Sequence, residues 1–208
     1  MKNILIILCL IAVNACAGNG EKEQAARPDT IKNMEKYNQL ATQAEAYCKQ
    51  RGLNSDFFYL VDLGQHSGYK RFHLWDFNKS AIVKSYMVSH GCGHLPWSST
   101  YSMEQARFSN QEGSKLSSLG RYIIKERGGS QWGIGVKYLI HGVDATNNNA
   151  LRRAIVLHSW EQVPDEEVFP KGTPEGWGCP AVSNDSMREI DAMLRKAGAN
   201  TLMWIVDL

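Results

Sequence analysis

From Phe57 to Val206 the chain breaks into short apolar runs separated by turn chemistry, and that pattern restricts the fold to a mostly β class. Phe57 to Leu63 is apolar except at Asp62 and is closed by Gly64, and Arg71 to Phe77 alternates with a period of two. Gln65-His66-Ser67-Gly68 between them is turn chemistry, so the two runs are expected to form a hairpin. Ala81 to Val88 is a third strand, reached through a tight turn at Asn78-Lys79. Gly120 to Lys125, Val136 to His141, Arg153 to His158 and Thr201 to Val206 are further strands, and residues 147–151 read as a short helical turn. Two helices frame this set. Residues 31–50 carry Ile31, Met34, Tyr37, Leu40, Ala44 and Tyr47 at helical spacing, with Asp29 or Thr30 as the cap and Gly52 as the stop. Residues 185–197 are capped by Asn184 and place Met187, Ile190, Met193 and Leu194 on one face. No internal repeat or boundary divides residues 51–208, so a single domain over 30–208 is expected.

The N-terminus is different material. Lys2 precedes an apolar run from Ile4 to Val13. That run is too short to cross a hydrocarbon core, which needs about 20 residues, and has the length of a signal-peptide core. Val13-Asn14-Ala15-Cys16 resembles a lipobox, in which the cysteine becomes the lipidated first residue of the mature chain. The expectation is a signal peptide over 1–15, a lipid anchor on Cys16 and a flexible tether over 16–29. A plain secretory signal cut near Ala15 or Ala17 is the other reading. Both put the chain outside the cytoplasm, in the periplasm or cell envelope. With 23 Lys+Arg against 21 Asp+Glu, the net charge of +2 supplies no broad basic surface, so nucleic acid is not an expected partner.

Five cysteines are too few for a disulfide scaffold. Removing Cys9 and Cys16 with the leader and anchor leaves Cys48, Cys92 and Cys179, so at least one thiol stays unpaired. A Cys48–Cys92 disulfide is one open pairing. Cys179 stands between Gly178 and Pro180, after a long loop over 160–178. A cysteine there can be a small buried apolar residue. A preceding glycine also lets the backbone bend sharply and aim N–H groups at a developing oxyanion. A thiol with an ordinary pKa of about 8.5 needs a base to react near neutral pH. His158, at the end of a strand, is the candidate base, its bland alternative being a satisfied core histidine. A second cluster, His90-Gly91-Cys92-Gly93-His94, lies in the long polar loop over 89–120. It carries zinc-type donors but no clear fourth ligand, so no metal is expected.

The run Arg153-Ala154-Ile155-Val156-Leu157-His158 followed by Gly176-Trp177-Gly178-Cys179-Pro180-Ala181-Val182 resembles the YkuD-like murein L,D-transpeptidase family, in its divergent branch with a Gly-Cys-Pro-Ala turn. Phe108-Ser109-Asn110 and Ser117-Ser118-Leu119-Gly120 are similar to that branch too, and the resemblance covers about 85–206. It implies a sandwich or barrel-like β fold with two or three peripheral helices. It implies Cys179 as nucleophile, His158 as base, and Gly178 in the turn that, with the Cys179 N–H, forms an oxyanion hole. Arg153, Ser118, His90, Asn184 and His141 are candidates for substrate contacts, with Arg153 able to hold a carboxylate bidentately. His141, in Ile140-His141-Gly142, is also a rival base, but it stands 38 residues before Cys179 where His158 stands 21 before it. The family spacer is nearer the shorter figure. The chain departs from the family pattern at Gly176, where a Ser or Thr is usual, and at Ser159, where glycine is more frequent in this branch.

The resemblance further implies acyl transfer on peptidoglycan stem peptides through a Cys179 thioester. An amine acceptor would give a 3–3 cross-link and water would give L,D-carboxypeptidase activity. No cofactor is required, and a monomer is expected. Two other readings stay open on the residues alone: a catalytically silent peptidoglycan-binding envelope lipoprotein, and a zinc-dependent envelope hydrolase built on His90, Cys92 and His94.

Overall fold

The computed structural model describes residues 28–95 and 105–208. The apolar leader, Cys16 and all but the last two residues of the expected tether lie outside them. In chain order the elements are α1 (Pro28–Arg51), β1 (Phe57–Asp62), β2 (Phe72–Asp76), β3 (Ala81–Tyr86), β4 (Gly120–Gly129), β5 (Val136–Gly142), β6 (Val156–Ser159), β7 (Ala181–Val182), α2 (Asn184–Ala197) and β8 (Thr201–Val206).

All the strands belong to one sheet, ordered β3-β2-β1-β8-β4-β5-β6-β7. Its two edges come back together: Val88, just past β3, bridges antiparallel to Val182 of β7, and the Ser89 N–H donates to the Ala181 carbonyl at 2.9 Å. The sheet is thereby a nearly closed barrel, and the closure covers edges that would otherwise present unpaired backbone groups. Most neighbours pair antiparallel, but β1 pairs parallel with β8 and β6 with β7.

The unbroken apolar run from Phe57 to Val61 in β1 has a direct cause. Tyr59 and Val61 point into the barrel core, while Phe58 and Leu60 point to the other face. That second face is covered by α1 through Tyr37, Ala41, Ala44 and Cys48. A strand covered on both faces needs no polar positions. At the far end α2 inserts Met187 and Ile190 into the barrel core. Ser183, extended at φ −66° and ψ 165°, caps α2 by accepting from the Ser186 N–H, so the cap falls one residue before the expected Asn184.

Three strands differ from their sequence expectation. β3 stops at Tyr86 because the chain beyond it leaves β2 to pair with β7. β4 runs on to Gly129 across a register shift between Ile124 and Arg127. β6 begins only at Val156, because Ala154 adopts a left-handed conformation at φ +55° and Arg153 lies in a turn. The short β7 has too few residues to show any periodicity. Cys48 and Cys92 are both free thiols, so the disulfide left open above is not formed.

Candidate active site

The Gly176 to Cys179 turn is held from the side by two other segments. The Gly176 N–H donates to the His90 carbonyl at 2.8 Å, and the Gly176 carbonyl accepts from the Cys92 N–H at 2.8 Å. Ser117 Oγ accepts from the Gly91 N–H and donates to the Gly178 carbonyl, each at 3.2 Å. One hydroxyl therefore ties the His-Gly-Cys-Gly loop to the Gly-Cys turn. Gly178 has no substitute in this arrangement. Its φ is +101°, and an added Cβ would stand 2.5 Å from the Leu116 carbonyl oxygen. No backbone acceptor takes the Gly178 or Cys179 N–H among the described residues. Both donors are thus available to a substrate oxygen.

Cys179 is partly buried against the barrel core. Its sulfur accepts from the Val156 N–H at 3.4 Å and donates to the Ala154 carbonyl at 3.7 Å. The resting thiol is therefore protonated and turned toward Ala154. Burial pushes its pKa above the ordinary thiol value, and the Val156 N–H and the charges of Arg153 and Lys137 pull against that rise.

His158 projects from β6 on the outward face, with Leu157 turned into the core. Its Nδ1–H donates to the carbonyl of Ser159 at 2.9 Å. A carbonyl can only accept, so the proton sits on Nδ1 and Nε2 is left as the acceptor. Burial lowers the pKa of His158 below the ordinary histidine value, the Ser159 carbonyl opposing this. The imidazole is neutral at neutral pH. No hydrogen bond joins His158 to Cys179 here. Transfer of the thiol proton requires the S–H to rotate away from the Ala154 carbonyl toward the imidazole.

The other residues singled out in the sequence have distinct positions. Arg153 directs Nη1 to the Ser109 carbonyl at 2.9 Å and to Ser118 Oγ at 2.6 Å, and Nη2 to Ser114 Oγ and the Leu116 carbonyl. Those donors organise the loop that packs on Gly178, which leaves the guanidinium no free fork for a substrate carboxylate. Ser118 is buried and accepts from Arg153, so its hydroxyl faces the arginine and no ligand. Asn184 opens α2 with its Oδ1 buried and unpartnered. His141 lies on β5 with Nε2 2.9 Å from Glu126 of β4. It stands four residues along β5 from Lys137, the strand partner of His158, a run of roughly 13 Å at a strand's rise per residue.

His90 is only 2% exposed and cannot line an open cleft. Its Nδ1 is 2.8 Å from Arg71 Nη2 and its Nε2 is 3.3 Å from Glu175 Oε1. Arginine has only donors, so Nδ1 accepts and the ring proton sits on Nε2, facing the carboxylate. A neutral imidazole thus joins a fully buried guanidinium to the residue immediately before the Gly176 to Cys179 turn. Burial works against the charge on Arg71, and the Asp62 and Glu175 carboxylates support it. Because both His90 nitrogens are engaged, the His90, Cys92, His94 set lacks a free donor at its first position. Among the described residues no three His, Cys, Asp or Glu side chains form a metal-ligand group.

Arg71, Glu175, Ser117 and the Ser159 carbonyl act in this site without having been marked in the sequence. Ser117 stood inside a quoted motif, but nothing in its neighbourhood separated it from Ser118.

A model of the L,D-transpeptidase catalytic domain family, YkuD_2, matches residues 29–204. Among solved structures, one similar chain is an L,D-transpeptidase (residues 123-326) from Xylanimonas cellulosilytica DSM 15894. It is 16% identical with a TM-score of 0.37, the match covering 72% of this chain and 59% of that one. Another is described as the Ldtfm-avibactam carbamoyl enzyme, 14% identical with a TM-score of 0.40, covering 72% of this chain and 48% of that one. The match spans about half to three-fifths of the length of those two chains. No curated protein matches the chain.

Proposed function

From the premise that this chain belongs to the L,D-transpeptidase catalytic domain family, we propose that it performs acyl transfer on peptidoglycan stem peptides through a thioester on Cys179. The observation that carries the reading is the His158 tautomer. The hydrogen bond to the Ser159 carbonyl leaves Nε2 unprotonated on a neutral ring, beside a turn in which the Gly178 and Cys179 N–H groups have no backbone acceptor among the described residues.

The chemistry follows from those groups. His158 Nε2 accepts the thiol proton as Cys179 Sγ attacks the carbonyl of the third stem residue. The carbonyl oxygen becomes negative and takes hydrogen bonds from the Gly178 and Cys179 N–H groups. Collapse breaks the peptide bond, and His158 returns the proton to the departing D-Ala amine. The thioester then passes its acyl group to an amine, giving a cross-link, or to water, giving a shortened stem. Because burial disfavours the thiolate at rest, the thiol is activated as it reacts and is not stored as an ion pair with His158.

The test is product analysis. Purified protein incubated with a disaccharide tetrapeptide should release D-Ala and leave a tripeptide, and an added D-amino acid should appear joined to the third residue. Absence of both products with correctly folded protein would overturn the proposal and favour a silent binding role.

The same reading puts the protein at the bacterial cell envelope. The apolar run from Ile4 to Val13 and the Val13-Asn14-Ala15-Cys16 motif support processing before Cys16 and lipid attachment there. Labelling of the expressed protein with a radioactive fatty acid should be abolished by Cys16→Ser, and unchanged labelling would remove the anchor.

A further inference from the structure

Lys137 stands opposite His158 in the antiparallel pairing of β5 and β6. Directly opposed residues share a face with their Cβ atoms about 5 Å apart, so the lysine stem rises beside the imidazole on the outward side of the barrel. Tyr138 and Ile140, its neighbours on β5, point into the core. Lys137 is half-buried, and it forms no ion pair among the described residues. Its charge also reaches both the Cys179 thiol and the His158 ring. By contrast the nearby Arg153 is held by three loop acceptors and Ser118. Unlike Arg153, Lys137 carries a charge that no ion pair among the described residues engages.

We infer that Lys137 binds the carboxylate at the scissile end of the acyl donor, the one carried by the amino acid that leaves. This rests on the acyl-transfer reading above and names a specificity residue within it. In a substrate whose carbonyl lies between Cys179 and His158, the leaving residue passes beside the imidazole that will protonate its amine. Its terminal carboxylate is then one residue from the reacting carbon, on the side where a flexible four-carbon stem ends in an ammonium. The same charge discriminates against donors that lack a terminal carboxylate, because the half-buried ammonium would remain unpaired.

The test compares two donors that differ only at the C-terminus, a tetrapeptide ending in a free carboxylate and its C-terminal amide. The readout is the ratio of their kcat/KM values in wild type, Lys137→Gln and Lys137→Arg. Using a ratio cancels any effect of the lysine on the thiol, which both donors share. Wild type should prefer the carboxylate by roughly ten- to a hundred-fold, the range of a charge-assisted hydrogen bond. Lys137→Gln should bring the ratio close to one, chiefly through KM for the free acid, and Lys137→Arg should keep most of the preference. A Lys137→Gln ratio equal to wild type would overturn the assignment. So would a wild-type enzyme that turns over both donors equally. Inactivity of wild type on both donors would instead strike the acyl-transfer reading on which the assignment rests.

Discussion

The Nδ1–H of His158 donates to the carbonyl of Ser159, its own neighbour in the chain, at 2.9 Å. A backbone carbonyl here does what a carboxylate does in many catalytic triads: it selects the tautomer and holds the ring. It does so without adding negative charge, which fits a base whose pKa lies below the ordinary value. His158→Ala should lower turnover by about two to four powers of ten, the usual range for a general base, in a variant that still unfolds cooperatively. Steady-state rates and melting curves on the same preparations check this.

The pH dependence has a definite sign. Burial holds His158 below the ordinary histidine value of 6.5 and Cys179 above the ordinary thiol value. The acid limb of kcat/KM should therefore fall below pH 6.5, where the ring protonates. For stability, a depressed histidine pKa means that the unfolded chain binds the proton more readily. The contribution of His158 to stability is full above pH 6.5 and is lost as pH drops from there toward the folded-state value. A pH profile of donor turnover with an acid limb above 6.5 would disagree with the site.

Gly178→Ala should damage both fold and rate. The substitution places a Cβ 2.5 Å from the Leu116 carbonyl oxygen at a φ of +101°, with a cost of roughly 1–3 kcal/mol for the strained backbone alone. It also tilts the two N–H groups meant for the substrate oxygen. Denaturant unfolding and turnover should both respond, and a variant as stable and as active as wild type would remove the close approach from the account.

Much of this architecture was legible in the residues, for physical reasons that can be named. The Phe57 to Leu63 run announced a strand through its composition, and its lack of alternation is explained by cover on both faces. Cys179 and His158 were marked by a glycine before one and a strand end at the other. His90 was not legible: its neighbours in sequence suggested a ligand cluster, while the groups that determine its role, Arg71 and Glu175, are brought to it by the barrel closure. Arg153 misled for the same reason, since its acceptors Ser109, Ser114 and Leu116 lie in a loop with no periodicity. Lys137 became visible only when strand register set it opposite His158.

His90→Ala separates the buried Arg71 from Glu175. Losing a neutral hydrogen-bond partner of a buried charged group typically costs about 1.5–3 kcal/mol. The loss should appear in the melting temperature and in chemical unfolding. His141→Ala, which removes only a partner of exposed Glu126, should leave turnover within about two-fold of wild type. A severe loss of activity in His141→Ala without unfolding would reassign the base.

The most direct test of the central claim is D-Ala release from a disaccharide tetrapeptide by wild type and by Cys179→Ala, with matched melting curves. Wild type should release D-Ala, and the folded variant should release none above the buffer control. Release by Cys179→Ala at a rate comparable to wild type would contradict it.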